Sequence, residues 1–189
     1  QAQLREGKAA DADDYLKLLV DEVDRLNGVI EDFLNYARPR EPKRRTVEIN
    51  EVVTDVLRLQ QTALPPSISV ETRLDPLLPP VQADPDLLKH ALINVVRNAV
   101  DAMPESGRVT VSTRSVMSAF RTYAVISIAD TGPGIDLAAV ETLFQPFYTT
   151  KSKGTGLGLP IARIIIESHG GEIAVENLTP HGARFSLYL

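Results

Sequence analysis

Cysteine is absent from this chain of 189 residues, and no stretch is continuously apolar over the roughly 18 residues that a membrane-spanning helix needs. The missing cysteine excludes a disulfide framework, a thiolate nucleophile and a thiolate metal site. A net charge of −5 gives no general attraction to nucleic acid, so no nucleic-acid partner is expected. No signal peptide is visible. These absences favour a cytoplasmic location and leave open whether the parent protein is anchored in a membrane.

The first of two glycine clusters is Asp-Thr-Gly-Pro-Gly-Ile at 130–135, directly after the apolar run 123–129. That run predicts a buried strand, at whose end Asp130 can accept a hydrogen bond from the exocyclic amine of a heteroaromatic ring. Gly132 and Gly134 have no side chain, which lets the backbone approach the ring closely. Because the same residues also suit an ordinary turn, this cluster by itself is weak evidence for a nucleotide site.

The second cluster, Gly-Thr-Gly-Leu-Gly-Leu at 154–159, runs directly into an apolar helix pattern. Backbone N–H groups at a helix N-terminus attract anions, so phosphate groups are the expected ligand here. No Gly-Lys-Ser/Thr follows, which excludes a P-loop, and the spacing and preceding strand of a dinucleotide fingerprint are both missing. The two clusters together predict adenine at the first and phosphates at the second.

A third element lies on a predicted helix that has Asp84 as its cap and Pro85 as its first residue. Asn94, Asn98 and Asp101 are spaced i, i+4, i+7 and therefore share one face of this helix. The opposite face is apolar and carries Leu88, Leu92, Val95, Ala99 and Ala102. The two amides can ligate a Mg²⁺ ion that also holds phosphate oxygens, whereas a plain polar stripe on an amphipathic helix is the alternative.

These elements, in this order, resemble the N box, first glycine box, F box and second glycine box of the sensor histidine kinases. The F box corresponds to Leu-Phe-Gln-Pro-Phe-Tyr-Thr-Thr-Lys at 143–151. The ATP-binding domain of these kinases belongs to the superfamily of DNA gyrase B, Hsp90 and MutL, and this chain is most similar to the NtrB-like branch. The resemblance implies ATP and Mg²⁺ as cofactors and protein histidine kinase as the activity.

The resemblance also implies the site residues. The adenine pocket consists of Asp130, Gly132, Gly134 and Ile135. Asn94 lies near the phosphates, and Asn98 is the metal ligand. Lys151 and the N–H groups of the second cluster hold the phosphate chain, which names Gly154, Thr155, Gly156, Leu157 and Gly158. Arg97 and Thr150 complete the ATP-binding set, and the catalytic candidates are Asn94, Asn98 and Lys151.

Two positions on the predicted helix that carries Asn94 and Asn98 (the Asn helix) bear on the activity. Many family members have a basic residue where this chain has Asp101, and Arg97 or the lysines of a predicted mobile lid at 146–153 are the candidates to replace that cation. The gyrase, Hsp90 and MutL ATPases have at the position of Asn94 a Glu that activates water. An amide cannot take a proton, so transfer to a histidine is favoured over fast hydrolysis.

The first part of the chain predicts a long amphipathic helix. Its apolar positions form a heptad seam over three repeats, made of Leu16, Leu19, Val23, Leu26, Ile30, Phe33 and Ala37. We expect residues 1–38 to belong to the helical region through which histidine kinases form homodimers, residues 39–45 to be a linker, and residues 46–189 to be the ATP-binding domain. A helix lying on its own domain is the alternative. Because no His precedes His90, the phospho-accepting His is expected outside this chain.

Strand and helix patterns alternate along residues 46–189 and predict an α/β fold of the α+β sandwich type. In this fold a mixed sheet packs against about three helices, and the nucleotide lies between the helices and the lid. The expected strands are 46–49, 67–74, 81–83, 108–115, 123–129, 172–176 and 183–189. The expected helices begin at the cap Asn50, at Pro85, at Leu137 and at Leu157.

The leading hypothesis is the ATP-binding and partial dimerisation part of a sensor histidine kinase. In the intact protein, the phosphoryl group would pass from ATP to a histidine and then to an aspartate of a response regulator receiver domain. One alternative is a nucleotide-responsive scaffold that dimerises and docks a partner without catalysis. Another is a hydrolase of the gyrase or MutL type, which Asn94 disfavours.

Overall fold

A computed structural model describes residues 15–16, 19–20, 22–23, 26–30, 33–34, 36–37, 40–61, 64–118, 121–136, 138, 140–149, 151 and 154–189. The chain divides into two compact units, Gln1–Arg38 and Pro39–Leu189. Among the described residues, no helix combines the length and the apolar character needed to cross a membrane.

The first unit is helical. Every described residue between 15 and 37 has helical structure, as the heptad pattern predicts. All seven seam positions are described and none is buried; Leu16, for example, is 59% exposed and Phe33 is 49% exposed. A helix is stable in water when such an apolar stripe packs against another element. This unit therefore presents an uncovered apolar stripe.

The second unit contains seven strands and four helices among its described residues. The strands are β1 (Arg45–Val47), β2 (Ile68–Arg73), β3 (Val81–Ala83), β4 (Gly107–Ser118), β5 (Arg121–Asp130), β6 (Glu172–Asn177) and β7 (Ala183–Tyr188). The helices are α1 (Ile49–Gln60), α2 (Pro85–Asp101), α3 (Val140–Leu143) and α4 (Gly158–Ser168).

The main sheet has five strands in the order β2-β4-β5-β7-β6. Strands β2 and β4 are parallel and the other pairs are antiparallel, so the sheet is mixed. Strands β1 and β3 form a separate antiparallel pair. Helix α2 packs against α1 and α4, and α2 and α4 also contact the sheet. A mixed sheet covered by three helices is the fold class predicted from the sequence, and this prediction is confirmed.

Burial follows the apolar patterns of the sequence. On α2, the predicted apolar face is in the core, where Leu88, Leu92, Val95 and Ala99 are at most 2% exposed. In β5, a central strand of the sheet, residues 124–128 are buried without a break, so side chains on both of its faces are covered. The chain therefore reaches Asp130 at the end of a strand whose middle is buried.

Helix α2 begins where the sequence predicts it to begin. Asp84 Oδ1 accepts hydrogen bonds from the N–H groups of Asp86 and Leu87 at 3.1 and 3.2 Å. Pro85 is the first helical residue, where its missing N–H costs nothing. Asp84 is thus an N-cap that satisfies two backbone donors of the helix that carries Asn94 and Asn98.

Asp84 also joins α2 to two other segments. Its Oδ2 accepts the N–H of Lys43 at 2.8 Å, and its own N–H donates to Nε2 of His169 at 2.9 Å. His169 caps the C-terminus of α4, and Arg44 donates to the carbonyl of Ser168 at 2.9 Å. The residues before β1, the start of α2 and the end of α4 therefore meet at one point.

Several element boundaries differ from the prediction. Asn50 does not cap α1; it is the second helical residue, and its amide donates to the carbonyl of Asp75 and accepts from the hydroxyl of Thr113. Ile49 starts this helix rather than ending a strand. The β4–β5 hairpin is longer than expected, because its strands pair out to Ser118 and Arg121. Helix α3 begins at Val140; residues 137 and 139 lie outside the described residues.

The Asp84 cap predicts a pH-dependent stability. Burial by itself raises the pKa of Asp84, but the N–H donors of Lys43, Leu87 and Asp86 and the nearby His169 outweigh it and hold the pKa below its ordinary value. The stabilisation is present above the unfolded-state pKa and is lost as the pH falls through the folded-state pKa. We expect Asp84→Asn to be less stable than the parent at neutral pH, by less than the about 0.5–2 kcal/mol of a lost cap, and the difference to be smaller at about pH 3.

Urea denaturation of both proteins at the two pH values measures this effect. Glu105→Gln, which removes an exposed carboxylate after α2, is the control. Its free energy of unfolding should equal that of the parent at both pH values. A stability difference between Asp84→Asn and the parent that stays constant on acidification would contradict the stabilising role of the ionised Asp84 carboxylate.

Candidate functional site

The end of β5 carries a buried carboxylate. Asp130 is 4% exposed, and its Oδ1 accepts the N–H of Gly132 at 2.9 Å and the N–H of Ala183 at 3.2 Å. Burial raises the pKa of Asp130, and the two backbone donors only partly offset that effect. Among the described residues, no donor reaches Oδ2. This oxygen is therefore the available acceptor for an N–H of a ligand.

The loop of the first glycine cluster packs closely against its surroundings. A Cβ on Gly132 would lie 3.0 Å from Asp130 Oδ1 and 3.2 Å from the carbonyl oxygen of Ala102, so this loop lies against the end of α2. Gly134 has a φ of 85°, in the left-handed region that glycine tolerates. The structure thus brings Gly132 to Asp130 and to the end of α2, and it brings Gly134 to Asn177 and Gly182.

Three contributors to this pocket were not predicted from the sequence. The side chain of Asn177 accepts the N–H of Ile135 at 2.8 Å and donates to its carbonyl at 2.7 Å, which fixes the far end of the loop. Ala183 supplies the second donor to Asp130, and a Cβ on Gly182 would overlap the Asp130 carbonyl. All three lie more than 40 residues downstream, and the pairing of β7 with both β5 and β6 brings them here.

Asn94 lies where α2 meets the start of α4. A Cβ on Gly158 would lie 3.5 Å from Asn94 Oδ1, so the two helices are in contact at this point. Nδ2 of Asn94 is buried and has no hydrogen-bond partner among the described residues. An unpaired buried amide is costly unless a ligand or water completes it, so this atom indicates a ligand site.

One turn along α2, Asn98 and Asp101 hold a lysine. Nζ of Lys151 is 3.0 Å from Asn98 Oδ1 and 3.1 Å from Asp101 Oδ2. Arg97 is exposed and makes no hydrogen bond to a described residue, and Thr150 lies outside the described residues. Of the candidate cations, the structure thus places Lys151 against the face of α2 that carries Asn94, Asn98 and Asp101 (the Asn face).

The second glycine cluster leads into the N-terminus of α4. Gly156 has a φ of 67°, and a Cβ there would lie 2.5 Å from the backbone of Phe147, whose own φ is 64°. Leu157, 1% exposed, anchors the loop in the core, and no side chain caps the helix. The close contact between the loop and Phe147 requires glycine at position 156.

The N–H groups of this loop divide into two sets. Gly154 donates to the Lys151 carbonyl at 3.2 Å, and Leu157 donates to Thr155 Oγ1 at 3.3 Å. The N–H groups of Thr155, Gly156 and Gly158 have no acceptor among the described residues. Together with the start of α4 they form an array of donors suited to an anion.

Comparison with known proteins gives the family. The histidine kinase-, DNA gyrase B- and HSP90-like ATPase family matches residues 83–189, which is more than half of the chain. The signal transduction histidine-protein kinase AtoS of Escherichia coli K12 is 39% identical over 93% of this chain and 29% of its own length. The sensory histidine kinase/phosphatase NtrB of Klebsiella oxytoca is 35% identical over 93% of this chain and 52% of its own length.

Solved structures agree with the sequence relatives. ShkA, solved full-length in complex with AMPPNP, superposes with a TM-score of 0.80 at 27% identity over 92% of this chain and 37% of ShkA. ThkA in complex with the response regulator protein TrrA superposes with a TM-score of 0.75 at 29% identity over 93% of this chain and 50% of that one.

The chain belongs to the histidine kinase-, DNA gyrase B- and HSP90-like ATPase family. Within that family, the similarity to these kinases identifies the chain as the ATP-binding part of a sensor histidine kinase. It spans about a third to a half of the two curated relatives described above.

The geometry of the second cluster predicts unequal effects of adding a methyl group. We expect Gly156→Ala to lower the free energy of unfolding by at least about 1 kcal/mol, because its left-handed φ is unfavourable for alanine and its Cβ would overlap Phe147. Gly158→Ala is the matched control: its Cβ would make an ordinary contact with Asn94, so a change within about 0.5 kcal/mol is expected. Thermal and urea denaturation measure both, and equal stabilities would contradict the loop geometry.

Proposed function

We propose that the chain binds Mg-ATP and that, in the intact protein, the γ-phosphoryl group is transferred to a histidine on the dimerisation bundle. From there it would pass to an aspartate of a response regulator receiver domain. Support comes from the kinases to which the chain is similar and from the ThkA complex with a response regulator protein. The observation that carries the proposal is the buried Asp130 with its second carboxylate oxygen available to a ligand.

At the adenine end, Asp130 Oδ2 would accept the exocyclic amine of the base. Two backbone donors hold the carboxylate in place, so its position does not depend on the ligand. Gly132, Gly134 and Ile135 would form the wall of the pocket, with Asn177 keeping the loop in register. A guanine base has an oxygen in place of that amine, so it would set an acceptor against an acceptor.

At the phosphate end, the unpaired amide of Asn94 and the free N–H groups at the start of α4 are the proposed donors. Both lie at the contact between α2 and α4, so one anion can reach both. Lys151 would add a positive charge, and Arg97 and Thr150 remain proposed members of the ATP-binding set. Phosphoryl transfer needs mainly positioning and neutralisation of charge, which these groups can supply.

A magnesium ion is proposed at Asn98. No cluster of three or more acidic or His side chains suitable for a metal exists among the described residues, so a metal there needs oxygens from the ligand. Asn98 Oδ1 and Asp101 Oδ2 already hold one cation, the ammonium of Lys151. Magnesium is commonly bound by one or two protein oxygens together with phosphates and water, so this donor set fits. When bound, the ion would neutralise charge on the phosphates.

The proposed reaction is transfer rather than hydrolysis. Asn94 cannot act as a base, so the chain lacks at this position the group that would activate water. The acceptor histidine is proposed to lie outside this chain, and residues 1–38 are proposed to form part of the homodimeric bundle. Their exposed seam supports that role, because pairing with a second copy would bury it. We further propose residues 39–45 as the linker, 46–189 as the ATP-binding domain and a cytoplasmic location.

The first test is nucleotide binding by Asp130→Asn. In the parent we expect Mg-ATP and Mg-ADP to bind, and in the variant we expect affinity to fall about 10- to 100-fold. The asparagine oxygen can still accept from Gly132 and Ala183, but its NH₂ group would replace Oδ2 and face the adenine amine, donor against donor. Isothermal titration calorimetry measures the affinities.

Two comparisons make this test specific. Mg-GTP should bind poorly to the parent, and Glu105→Gln should bind Mg-ATP as the parent does. Unchanged affinity in a folded Asp130→Asn protein would refute the adenine assignment. No binding by the parent itself would instead favour the alternative of a scaffold without catalysis.

The second test separates the kinase from the hydrolase alternative. Intact protein with radiolabelled Mg-ATP should acquire label that is lost in acid and retained in base, as expected for phosphohistidine. Asn94→Ala should reduce this labelling strongly, since a phosphate donor is removed. Steady phosphate release without labelling of the protein would favour a gyrase- or MutL-type ATPase.

A further inference from the structure

A single cationic side chain lies between two oxygens on the Asn face of α2. Lys151 Nζ is 3.0 Å from Asn98 Oδ1 and 3.1 Å from Asp101 Oδ2. Asn98 and Asp101 are one helical turn apart, so their side chains converge on the same place. The side chains of Lys151 and Asp101 are 35% and 56% exposed, so a ligand can reach the pair from solvent.

We infer that Asn98 and Asp101 form a cation-binding pair which Lys151 occupies in the metal-free protein, and that a divalent cation displaces this ammonium toward the phosphates. The inference rests on the proposed metal role of Asn98. It gives Asp101 a positioning role for both cations. A basic residue at this position could not have that role.

Charge favours exchange over joint occupancy. An ammonium and a divalent cation sharing the same two oxygens would lie a few ångströms apart and repel each other strongly. The carboxylate of Asp101 balances the ammonium fully but a divalent cation only in part. The nucleotide phosphates supply the remaining negative charge, and they also offer the displaced ammonium new oxygens. Metal and phosphates together therefore replace every contact that Lys151 gives up.

The backbone around Lys151 does not have to move for this exchange. Its N–H donates to Thr149 Oγ1 at 3.0 Å, and its carbonyl accepts the N–H of Gly154 at 3.2 Å. These bonds fix the residue beside the second glycine cluster. The four-carbon stem of lysine allows the ammonium to swing over several ångströms by rotamer changes alone.

The exchange makes nucleotide binding selective for the metal-loaded form. Without metal, the phosphates meet the negative charge of Asp101, and Lys151 is held away from them by Asn98 and Asp101. With metal, both obstacles are removed together. Asp101 therefore sets the ratio of ATP affinity with Mg²⁺ to ATP affinity in EDTA, which is a property independent of catalysis.

A double-mutant cycle tests this inference with the parent, Asp101→Asn, Lys151→Met and the double variant. We expect Asp101→Asn to bind ATP more tightly than the parent in EDTA and to gain less from Mg²⁺. In the Lys151→Met background, Asp101→Asn removes only the repulsion between the Asp101 carboxylate and the phosphates, since there is no ammonium to release. Its benefit in EDTA should therefore be smaller by about two- to fivefold, the range expected for a part-exposed ion pair.

The comparison of backgrounds separates the specific contact from general electrostatics. Equal effects of Asp101→Asn with and without Lys151 would overturn the inference, as would an unchanged Mg²⁺ gain. Glu172→Gln removes an exposed carboxylate at the start of β6 and should leave that gain as in the parent. Asp101 is exposed at the end of α2, so its substitution should not prevent folding; circular dichroism checks this.

Asn98→Ala distinguishes a failure of the inference from a failure of the proposed function. If Asn98→Ala binds Mg-ATP as tightly as the parent, the proposed metal role fails and the inference falls with it. If Asn98→Ala no longer binds ATP more tightly with Mg²⁺, while the effects of the Asp101 and Lys151 substitutions are additive, the proposed metal site stands. Only the exchange of Lys151 is then refuted.

Discussion

The proposed nucleotide pocket depends on one buried carboxylate. Asp130 is only 4% exposed at the end of β5, and an isolated charge there would be strongly unfavourable. Two backbone N–H groups, from Gly132 and Ala183, satisfy one oxygen and fix its orientation. The pocket therefore requires the glycine turn after β5 and the start of β7 to be in place at the same time.

Helix α2 connects this pocket to the rest of the domain. Its buried face packs into the core, while its polar face carries the amides and the carboxylate of the proposed phosphate end. Its first turn is capped by Asp84, which also holds Lys43 and His169. The segment that enters the domain is thus hydrogen-bonded to the helix that would hold the phosphates and to the end of α4. A displacement of that segment would act directly on both helices.

The polar groups of the site are incompletely paired in a way that suits a charged ligand. Asn94 leaves one amide nitrogen unpaired, and the start of α4 has free N–H groups. Lys151 shares its charge between Asn98 and Asp101. Natural cores seldom tolerate unpaired buried donors without a compensating role, and an anion with a cation would complete these groups.

The sequence by itself determined the class of fold, the existence of the N-terminal helix, the Asp84 cap and the three groups of candidate residues. Each of these depends on local periodicity or on a short motif, so neighbouring residues suffice to reveal it. The tertiary structure decided that Asn50 bonds to Thr113 instead of capping α1, and that Asn177 and Ala183 hold the loop after β5 and the Asp130 carboxylate in place. It also decided that Lys151 meets Asp101. These contacts join residues about 40 to 60 positions apart, and only the register of the sheet and the packing of α2 bring them together.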